Sequence, residues 1–562
     1  MRNRIIGLIL LLTAVFQTAN AQQRSFDTAK NLDIFNSIYK ELDLFFVDSL
    51  NSRKTIRTGI EAILNSLDPY TVYYASDETK SLKLMITGKY AGIGSMIRYY
   101  KKADRVVIDE PYEGQPAAVA GVKAGDIILS IDGKDTGKKG AKATNDFVSD
   151  VSDRLKGDPG TTFVLKVQRP GVKEPLSFKI TRKTIKMPAI PYYTMLPNHT
   201  AYINLSSFTE GCAQDVRRAF VELKEQGATS LVFDLRDNGG GSMSEAIDIV
   251  SMFVPKGTEV VSTKGKTKAA SSTYKTTKEP IDTQMPIAVL VNNGTASASE
   301  ITSGALQDED RAVIIGNRTY GKGLVQVTRD MPYGGVLKVT ASKYYIPSGR
   351  CIQAIDYASH RYSDGVSTRI PDSLTHVFKT RLGREVRDGG GISPDLTVKK
   401  DSMATMLYYL ITSDELFDYV TDYVEKHPTI APASQFSITD ADYNGFTAYM
   451  TGTMFTYDAQ SGKALNELKK IAKAEGYLDD AKNEFKALED KLKPNLQKDL
   501  IRNKKDIKNI INSEIIKRYY YQKGAIQYAL KDDKDLQEAL RILADRQTYN
   551  QILTPVKKEN KK

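Results

Sequence analysis

The chain has 562 residues, 41% hydrophobic and 26% charged, a composition typical of a globular protein with several domains. Its two cysteines and four histidines follow no metal-ligand spacing, so the sequence predicts no disulfide framework, metal site or cofactor. The net charge is +11, and the basic surplus gathers in 491–562, where acidic residues interleave with basic ones. That pattern favours a solvated helical face over a nucleic-acid-binding or membrane-binding surface.

The N-terminus carries a targeting pattern. Arg2 and Arg4 precede an apolar run, 5–16, and Ala19-Asn20-Ala21 has the small-x-small form of a signal-peptidase site. The run is too short to span about 30 Å of hydrocarbon as a helix. We therefore expect residues 1–21 to be a signal peptide of an exported chain, without a membrane span after cleavage; an uncleaved anchor is the alternative.

The remaining chain changes its periodicity three times. Residues 22–84 have helical spacing of apolar residues, 85–183 contain short strand-like runs separated by glycines, and 401–562 are mostly helical. Between them, 184–400 alternate strands and helices, which predicts an α/β core. The predicted strands of that core are 201–205, 231–235, 287–291 and 312–315, and its predicted helices are 214–226 and 296–307.

Two candidate nucleophiles, Ser297 and Ser299, lie in the segment N-G-T-A-S-A-S-E-I directly after a predicted buried strand. Small residues at a strand-to-helix junction let the backbone turn sharply and present a hydroxyl beside free N–H groups. Serine is also an ordinary helix cap, so the segment alone does not establish a nucleophile.

A candidate base, Lys322, lies between two glycines in Y-G-K-G-L-V-Q. A serine hydroxyl needs a base, and a neutral lysine can replace histidine in that role when burial disfavours its charged form. Gln326 is four residues later and would share a strand face with Lys322, where it could hold the amine. A Gly-Lys-Gly surface turn is the alternative.

A third block, D-L-R-D-N-G-G-G at 234–241, ends another predicted buried strand. Its consecutive glycines would expose backbone N–H groups suited to an oxyanion. A phosphate loop is excluded because G-x-x-x-x-G-K-[ST] is missing. The chain also lacks G-x-S-x-G, and its S-x-x-K at Ser272–Lys275 has no K-T-G partner, which excludes two other serine-hydrolase classes.

Taken in chain order, the glycine-rich, serine and lysine blocks resemble those of the carboxyl-terminal processing peptidases, the tail-specific serine proteases of peptidase family S41. The resemblance covers about 60–400. It implies a multidomain α/β protein with a crotonase/Clp-like α/β serine protease core at 184–400 and an inserted PDZ β-domain at 85–183. Helical N- and C-terminal regions, 22–84 and 401–562, complete the implied organisation.

The resemblance also assigns roles. It places the nucleophile at Ser297, the general base at Lys322 and the amide that orients this base at Gln326. The backbone N–H groups implied to surround the oxyanion are those of Gly240 or Gly241 and of Ala298. No metal or other cofactor is implied.

Two further positions matter less in this comparison. Some family members have an aspartate that corresponds to Asp308, for which a local contact with Arg311 is the preferred interpretation. The family block L-D-P-H-S reads L-D-P-Y-T at 67–71, and we interpret it as structural.

A glycine-rich loop resembles the carboxylate-binding loop of the family's PDZ domain, and the residues implied to bind there are Tyr90, Gly92, Ile93 and Gly94. The segment 115–126 resembles the later PDZ signature. Backbone N–H groups between glycines can hold a terminal carboxylate, and the following strand can pair with an extended peptide. A glycine-rich hairpin without a ligand is the alternative.

The resemblance thus implies an ATP-independent serine endopeptidase that binds the apolar C-terminal tails of proteins or peptides. The targeting pattern in 1–21 adds the expectation that it is exported, to the bacterial periplasm. An adaptor or a second copy of the chain could bind at the C-terminal helices; no nucleic-acid partner is expected. The alternative function is a non-catalytic PDZ adaptor built on a crotonase-like scaffold.

Overall fold

The computed structural model describes residues 26–357, 369–399 and 403–555. The chain divides into two compact units, one running up to Ser76 and including Gln326–Thr340, the other comprising Asp77–Val325 and the chain from Ala341 onward. The predicted signal peptide, 1–21, lies outside the described residues. In the described part of the chain, no helix has the length and apolar character needed to cross a membrane.

The first unit contains two helices, α1 (26–45) and α2 (Ser52–Asn65), and a strand, β1 (Val72–Tyr74). The sequence predicted only helix here, and the strand is a correction. The carboxylate of Asp68 accepts the N–H groups of Tyr70 and Thr71, which turns the chain after α2. β1 then pairs antiparallel with 336–338, a partner far away in the sequence.

The second unit begins with α3 (Thr79–Thr87) and a β-rich region. Its main sheet has the order β3-β4-β5-β7-β8, with β6 paired to β5, and β3 is therefore a terminal strand. The strands are β2 (Lys89–Gly92), β3 (Ser95–Tyr100), β4 (Arg105–Pro111), β5 (Ile127–Ile131), β6 (Lys134–Asp135), β7 (Thr162–Gln168), β8 (Leu176–Thr181) and β9 (Lys183–Lys186). Two helices, α4 (Pro116–Val119) and α5 (Thr144–Leu155), accompany them, and α5 buries Phe147 and Val151 in the core of this region.

The α/β core has a six-stranded sheet in the order β10-β11-β12-β15-β16-β21, parallel from β11 onward. Its strands are β10 (Tyr192–Leu196), β11 (Thr200–Asn204), β12 (Ser230–Asp234), β15 (Ile287–Val291), β16 (Val313–Gly316) and β21 (Leu396–Thr397). The helices are α6 (Cys212–Glu225), α7 (Met243–Val250) and α8 (Ala298–Asp308), and every residue of α8 is buried. The remaining strands of the described residues are β13 (Glu259–Gly265), β14 (Ser272–Lys275), β17 (Leu324–Asp330), β18 (Val336–Tyr345), β19 (Val377–Lys379) and β20 (Glu385–Arg387).

This alternation of strands and helices confirms the predicted multidomain α/β architecture. Because β12 and β15 are neighbouring parallel strands, the loops that follow them leave the same edge of the sheet. The glycine-rich block and the serine block are these two loops.

The C-terminal region is helical, as predicted. Its helices are α9 (Thr405–Ile411), α10 (Asp414–Lys426), α11 (Asp440–Thr451), α12 (Gln460–Ala474), α13 (Lys482–Leu492), α14 (Leu496–Arg502), α15 (Lys504–Ala529), α16 (Lys534–Ala544) and α17 (Arg546–Leu553). Most of them surround their own apolar core, which includes Phe446 and Ile511. The last two pack instead on the central sheet, where Leu536 and Ile542 share a buried cluster with Val232.

Candidate active site

Ser297 occupies the turn between β15 and α8. Its backbone has φ 57° and ψ −116°, a conformation that non-glycine residues seldom adopt and that is often found at functional sites. The Ser297 carbonyl accepts the hydroxyl of buried Tyr344 at 3.2 Å. Burial raises the pKa of Tyr344, so this hydroxyl stays protonated and can donate. The chain thus presents the Ser297 side chain on a strained turn that its neighbours hold in place.

Ser299 has a different environment. It is fully buried, and its Oγ donates to the carbonyl of Asn238 at 2.9 Å. This bond joins α8 to the loop after β12. Because Ser297 is only half-buried and Ser299 is committed to a structural bond, the geometry favours Ser297 as the reactive serine.

One buried carboxylate, that of Glu300, joins the serine and lysine segments. Its Oε2 accepts the N–H groups of both Ser297 and Lys322, each at 2.9 Å. Its Oε1 accepts the hydroxyl of Thr319 at 2.5 Å and the N–H of Gly321 at 2.7 Å. Burial raises the pKa of Glu300, while the four hydrogen bonds act in the opposite direction by favouring the ionised form. The backbones of Ser297 and Lys322 are therefore held side by side by one oxygen atom.

Sequence reasoning did not identify Glu300 as a site residue. The available signal was the S-x-x-E spacing from Ser297 to Glu300, which is that of a helix capping box. A capping box predicts the bond to the Ser297 N–H. It does not predict the three bonds to the loop before β17.

The loop that carries Lys322 is packed against the core. Gly323 donates its N–H to Gln353 Oε1 at 2.7 Å, and a Cβ at Gly323 would lie 2.8 Å from the backbone nitrogen of Gln353. Gly321 has φ 88°, and a Cβ there would collide with Ala354. The two glycines are thus required by close packing, which argues against a simple surface turn.

Gln326 lies on β17, and its Nε2 donates to Thr340 Oγ1 at 3.1 Å. Both residues belong to the first unit. β17 begins at Leu324, so Lys322 lies before the strand. The prediction that Lys322 and Gln326 share a strand face is therefore wrong. The role of Gln326 in orienting Lys322 stays a prediction.

We call 236–241 the glycine strip. A Cβ at Gly240 would lie 2.6 Å from the Ala296 oxygen and 2.8 Å from the Ala298 nitrogen, so the strip lies directly against the Ser297 turn. The Gly240 N–H donates to Asn238 Oδ1 at 2.9 Å. Among the described residues, no acceptor is found for the N–H groups of Gly241 and Ala298. These two donors are therefore available to an oxyanion, whereas that of Gly240 is engaged.

Asp308 has a partner other than the expected one. Its carboxylate accepts Arg350 Nη2 at 2.8 Å and the N–H of Ser348 at 3.0 Å. Arg311 instead donates to the carbonyls of Phe253 and Asp282, so the expected contact with Asp308 is wrong. Burial raises the pKa of Asp308, and Arg350 opposes that effect. This ion pair anchors the end of α8 that is remote from Ser297.

The predicted carboxylate-binding loop connects β2 to β3. Ile93 is buried in the core of the β-rich region, and Gly94 has φ 66°. The Ile93 carbonyl accepts the N–H of residue 117, and the Gly94 carbonyl accepts that of residue 112. Burial raises the pKa of Tyr90. Tyr99 of β3 meets Phe147 of α5 edge-on, with ring centroids 6.3 Å apart. The loop therefore leads into a terminal strand that lies beside the amphipathic helix α5.

Three family models match parts of this chain, and several known proteins are similar to it. The model of peptidase family S41 matches 199–360, a PDZ domain model matches 107–169, and the model described as "Probable PDZ-protease, C-terminal helical domain" matches 406–543. A carboxy-terminal-processing protease of Bartonella bacilliformis is 35% identical over 350 residues, covering 62% of this chain and 77% of that protein. A CtpA-like serine protease of Staphylococcus aureus is 33% identical over 351 residues, covering 62% and 68%. The solved structure of a photosystem II D1 C-terminal processing protease is 27% identical over 65% of this chain and 86% of that chain, with a TM-score of 0.36.

The family models and the similar proteins identify a serine peptidase with a PDZ domain. The chain belongs to peptidase family S41 and to its C-terminal processing serine proteases. The predicted family and enzyme class are confirmed.

We expect Glu300→Gln to lower kcat about 100-fold, the size of effect that a small misplacement of reacting groups can produce. The amide replaces one acceptor oxygen with an NH₂ donor, which would face N–H groups of the serine or lysine segment. Turnover of a fluorogenic peptide and far-UV circular dichroism, measured on the same sample, separate this effect from unfolding.

Glu245→Gln is the matched control. The Glu245 carboxylate also accepts two backbone N–H groups, those of Gly211 and Ala213, but it contacts neither the serine nor the lysine segment. Equal kcat losses in the two variants would contradict a specific role of Glu300.

Proposed function

We propose that this chain is an exported, ATP-independent endopeptidase that cleaves with a Ser297/Lys322 dyad. The observation that carries the proposal is the shared Glu300 oxygen, which holds the backbones of both residues. Gln326 is proposed to orient the Lys322 amine.

In this mechanism Ser297 Oγ attacks the scissile carbonyl while Lys322 accepts the hydroxyl proton. The carbonyl oxygen becomes negative and is stabilised by the N–H groups of Gly241 and Ala298. Lys322 then gives its proton to the departing amine, and the C–N bond breaks to leave an ester on Ser297. Water, deprotonated by Lys322, hydrolyses the ester and regenerates the serine.

The proposed substrate is a protein or peptide with an apolar C-terminal tail. Its carboxylate would be held by the loop of Tyr90, Gly92, Ile93 and Gly94. The extended tail would add a strand to β3, a terminal strand of its sheet. The edge-on contact of Tyr99 with the buried Phe147 supports this proposal, since it holds α5 beside β3.

We place the chain in the periplasm, on the basis of the signal-peptide pattern in 1–21. The proposed division is 22–84, 85–183, 184–400 and 401–562. An adaptor or a second copy would bind at the C-terminal helices, where Ile471 and Tyr477 are 54% and 64% exposed. The alternative, a non-catalytic PDZ adaptor, is disfavoured by the close packing of the Lys322 loop and the strained Ser297 turn.

Tail recognition can be tested on the full-length Ser297→Ala chain, which should bind without cleaving. We expect a peptide with an apolar C-terminal residue and a free carboxylate to bind at least about tenfold more tightly than its C-terminal amide, because hydrogen bonds to an ionised acceptor are the stronger ones. Fluorescence anisotropy measures both affinities. Equal affinities would contradict carboxylate recognition by the PDZ domain.

A further inference from the structure

The C-terminal helical region reaches the glycine strip through one arginine. Arg236, the first residue of the strip, donates to Asp533 at 2.6 and 2.9 Å and to Asp535 at 3.1 Å. Asp533 and Asp535 lie at the start of α16. The same guanidinium donates to Asp234, at the end of β12, at 2.6 Å.

This cluster is mostly buried and has an excess of negative charge. The side chains of Asp234, Asp535 and Asp533 are 3%, 6% and 13% exposed, and that of Arg236 is 17% exposed. Burial lowers the pKa of Arg236, but the carboxylates outweigh burial and hold its pKa above the ordinary value. Three carboxylates share one guanidinium, and Asp535 Oδ1 has no hydrogen-bond partner among the described residues.

Apolar contacts also dock α16 on the central sheet. Leu536, Ala539 and Ile542 already bury an apolar helix face against the sheet. Buried ion pairs seldom add net stability over apolar contacts, since desolvation offsets much of their attraction. The cluster therefore calls for a role other than holding the helix.

The position of Arg236 at the start of the glycine strip indicates what this role is. The next residue, Asp237, exchanges two hydrogen bonds with Asn292, and Asn238 contacts both the Gly240 N–H and the Ala296 N–H. α16 fixes the beginning of the strip, and these bonds fix its middle. The Gly241 N–H follows at the end.

We propose that Asp533 and Asp535 are positioning residues for cleavage, which act through Arg236 to set the glycine strip opposite Ala298. The C-terminal helical region is then part of the catalytic apparatus. This inference rests on the proposed function, because it assigns the strip to the oxyanion.

The test compares the full-length chain with Asp533→Asn, Asp535→Asn and the double variant. Asparagine keeps the side-chain shape and can still cap α16 through the bond to the Leu536 N–H. We expect kcat of the double variant to fall at least about tenfold, with KM nearly unchanged, as for an interaction that acts only in the transition state. Asp545→Asn, which alters the cap of the neighbouring α17 away from Arg236, should keep wild-type kcat.

A peptide aldehyde provides a readout that a purely structural role would not change. Ser297 Oγ adds to the aldehyde carbon, its proton passes to Lys322, and the carbonyl oxygen takes the oxyanion position. We expect the aldehyde to lose affinity by about the factor by which kcat falls, while binding of an uncleaved tail peptide stays unchanged.

A folded double variant with wild-type kcat and aldehyde affinity would overturn the proposal. If the double variant does not fold, Asp535→Asn provides the test, because Asp533 then still caps α16 and pairs with Arg236. Unchanged kcat and aldehyde affinity in Asp535→Asn would equally overturn the proposal. A wild-type chain that cleaves no tail peptide would instead contradict the proposed function.

Discussion

Ser297→Ala is expected to abolish peptide cleavage, with kcat falling by three or more orders of magnitude, as removal of a serine nucleophile typically does (roughly 10³–10⁶-fold). Ser299→Ala is expected to retain most of the activity. The Ser299 hydroxyl donates to the Asn238 carbonyl, which also accepts the Ala296 N–H, so its loss removes one of two bonds to this acceptor and acts mainly on stability, by about 0.5–1.5 kcal/mol. Turnover of a fluorogenic peptide and the Tm of each variant separate the two effects.

The two serines control for each other, because both changes remove one hydroxyl within a single turn of chain. Equal losses of kcat in two folded variants would show that the nucleophile assignment is wrong. A Ser299→Ala chain that loses activity together with Tm would point to loss of the contact between α8 and the glycine strip.

Lys322→Arg is expected to be as inactive as Lys322→Ala, with kcat in both reduced by several orders of magnitude. Arginine keeps the positive charge and the hydrogen-bond donors but cannot lose its proton in a protein. In the wild-type chain, kcat/KM should rise with pH, because only the neutral amine accepts the Ser297 proton. Pre-equilibrated samples at several pH values give this profile directly.

Near-normal turnover by Lys322→Arg would show that Lys322 acts only as a cation. Lys338→Arg is a suitable control, since Lys338 lies on β18 and contacts the Tyr74 ring. It should cleave as the wild-type chain does.

The features that depend on short sequence patterns were predictable. The strand expected at 287–291 is β15, and the helix expected at 296–307 is α8, shifted by two residues at its start and one at its end. The serine block, the lysine loop and the glycine-rich block each contain their own turn residues. Their convergence on one edge follows from the parallel order of β12 and β15.

The features that depend on distant partners were not predictable. β1 exists because it pairs with 336–338, Asp308 pairs with Arg350 rather than Arg311, and Arg236 meets carboxylates of α16. Nothing near these residues in the sequence indicates their partners. Gly240 shows the same limit on a smaller scale, because its N–H is taken by an Asn238 side chain that could equally have pointed elsewhere.

The most direct test of the central claim is an intact-mass time course on an unfolded protein with an apolar, free C-terminal tail. It is incubated without nucleotide with the wild-type chain or with Ser297→Ala. We predict that the wild-type chain converts the protein into defined fragments, whereas Ser297→Ala binds it and leaves its mass unchanged. A wild-type chain that binds the tail as tightly as Ser297→Ala does, and yet yields no fragments, would contradict the peptidase mechanism and favour the PDZ adaptor.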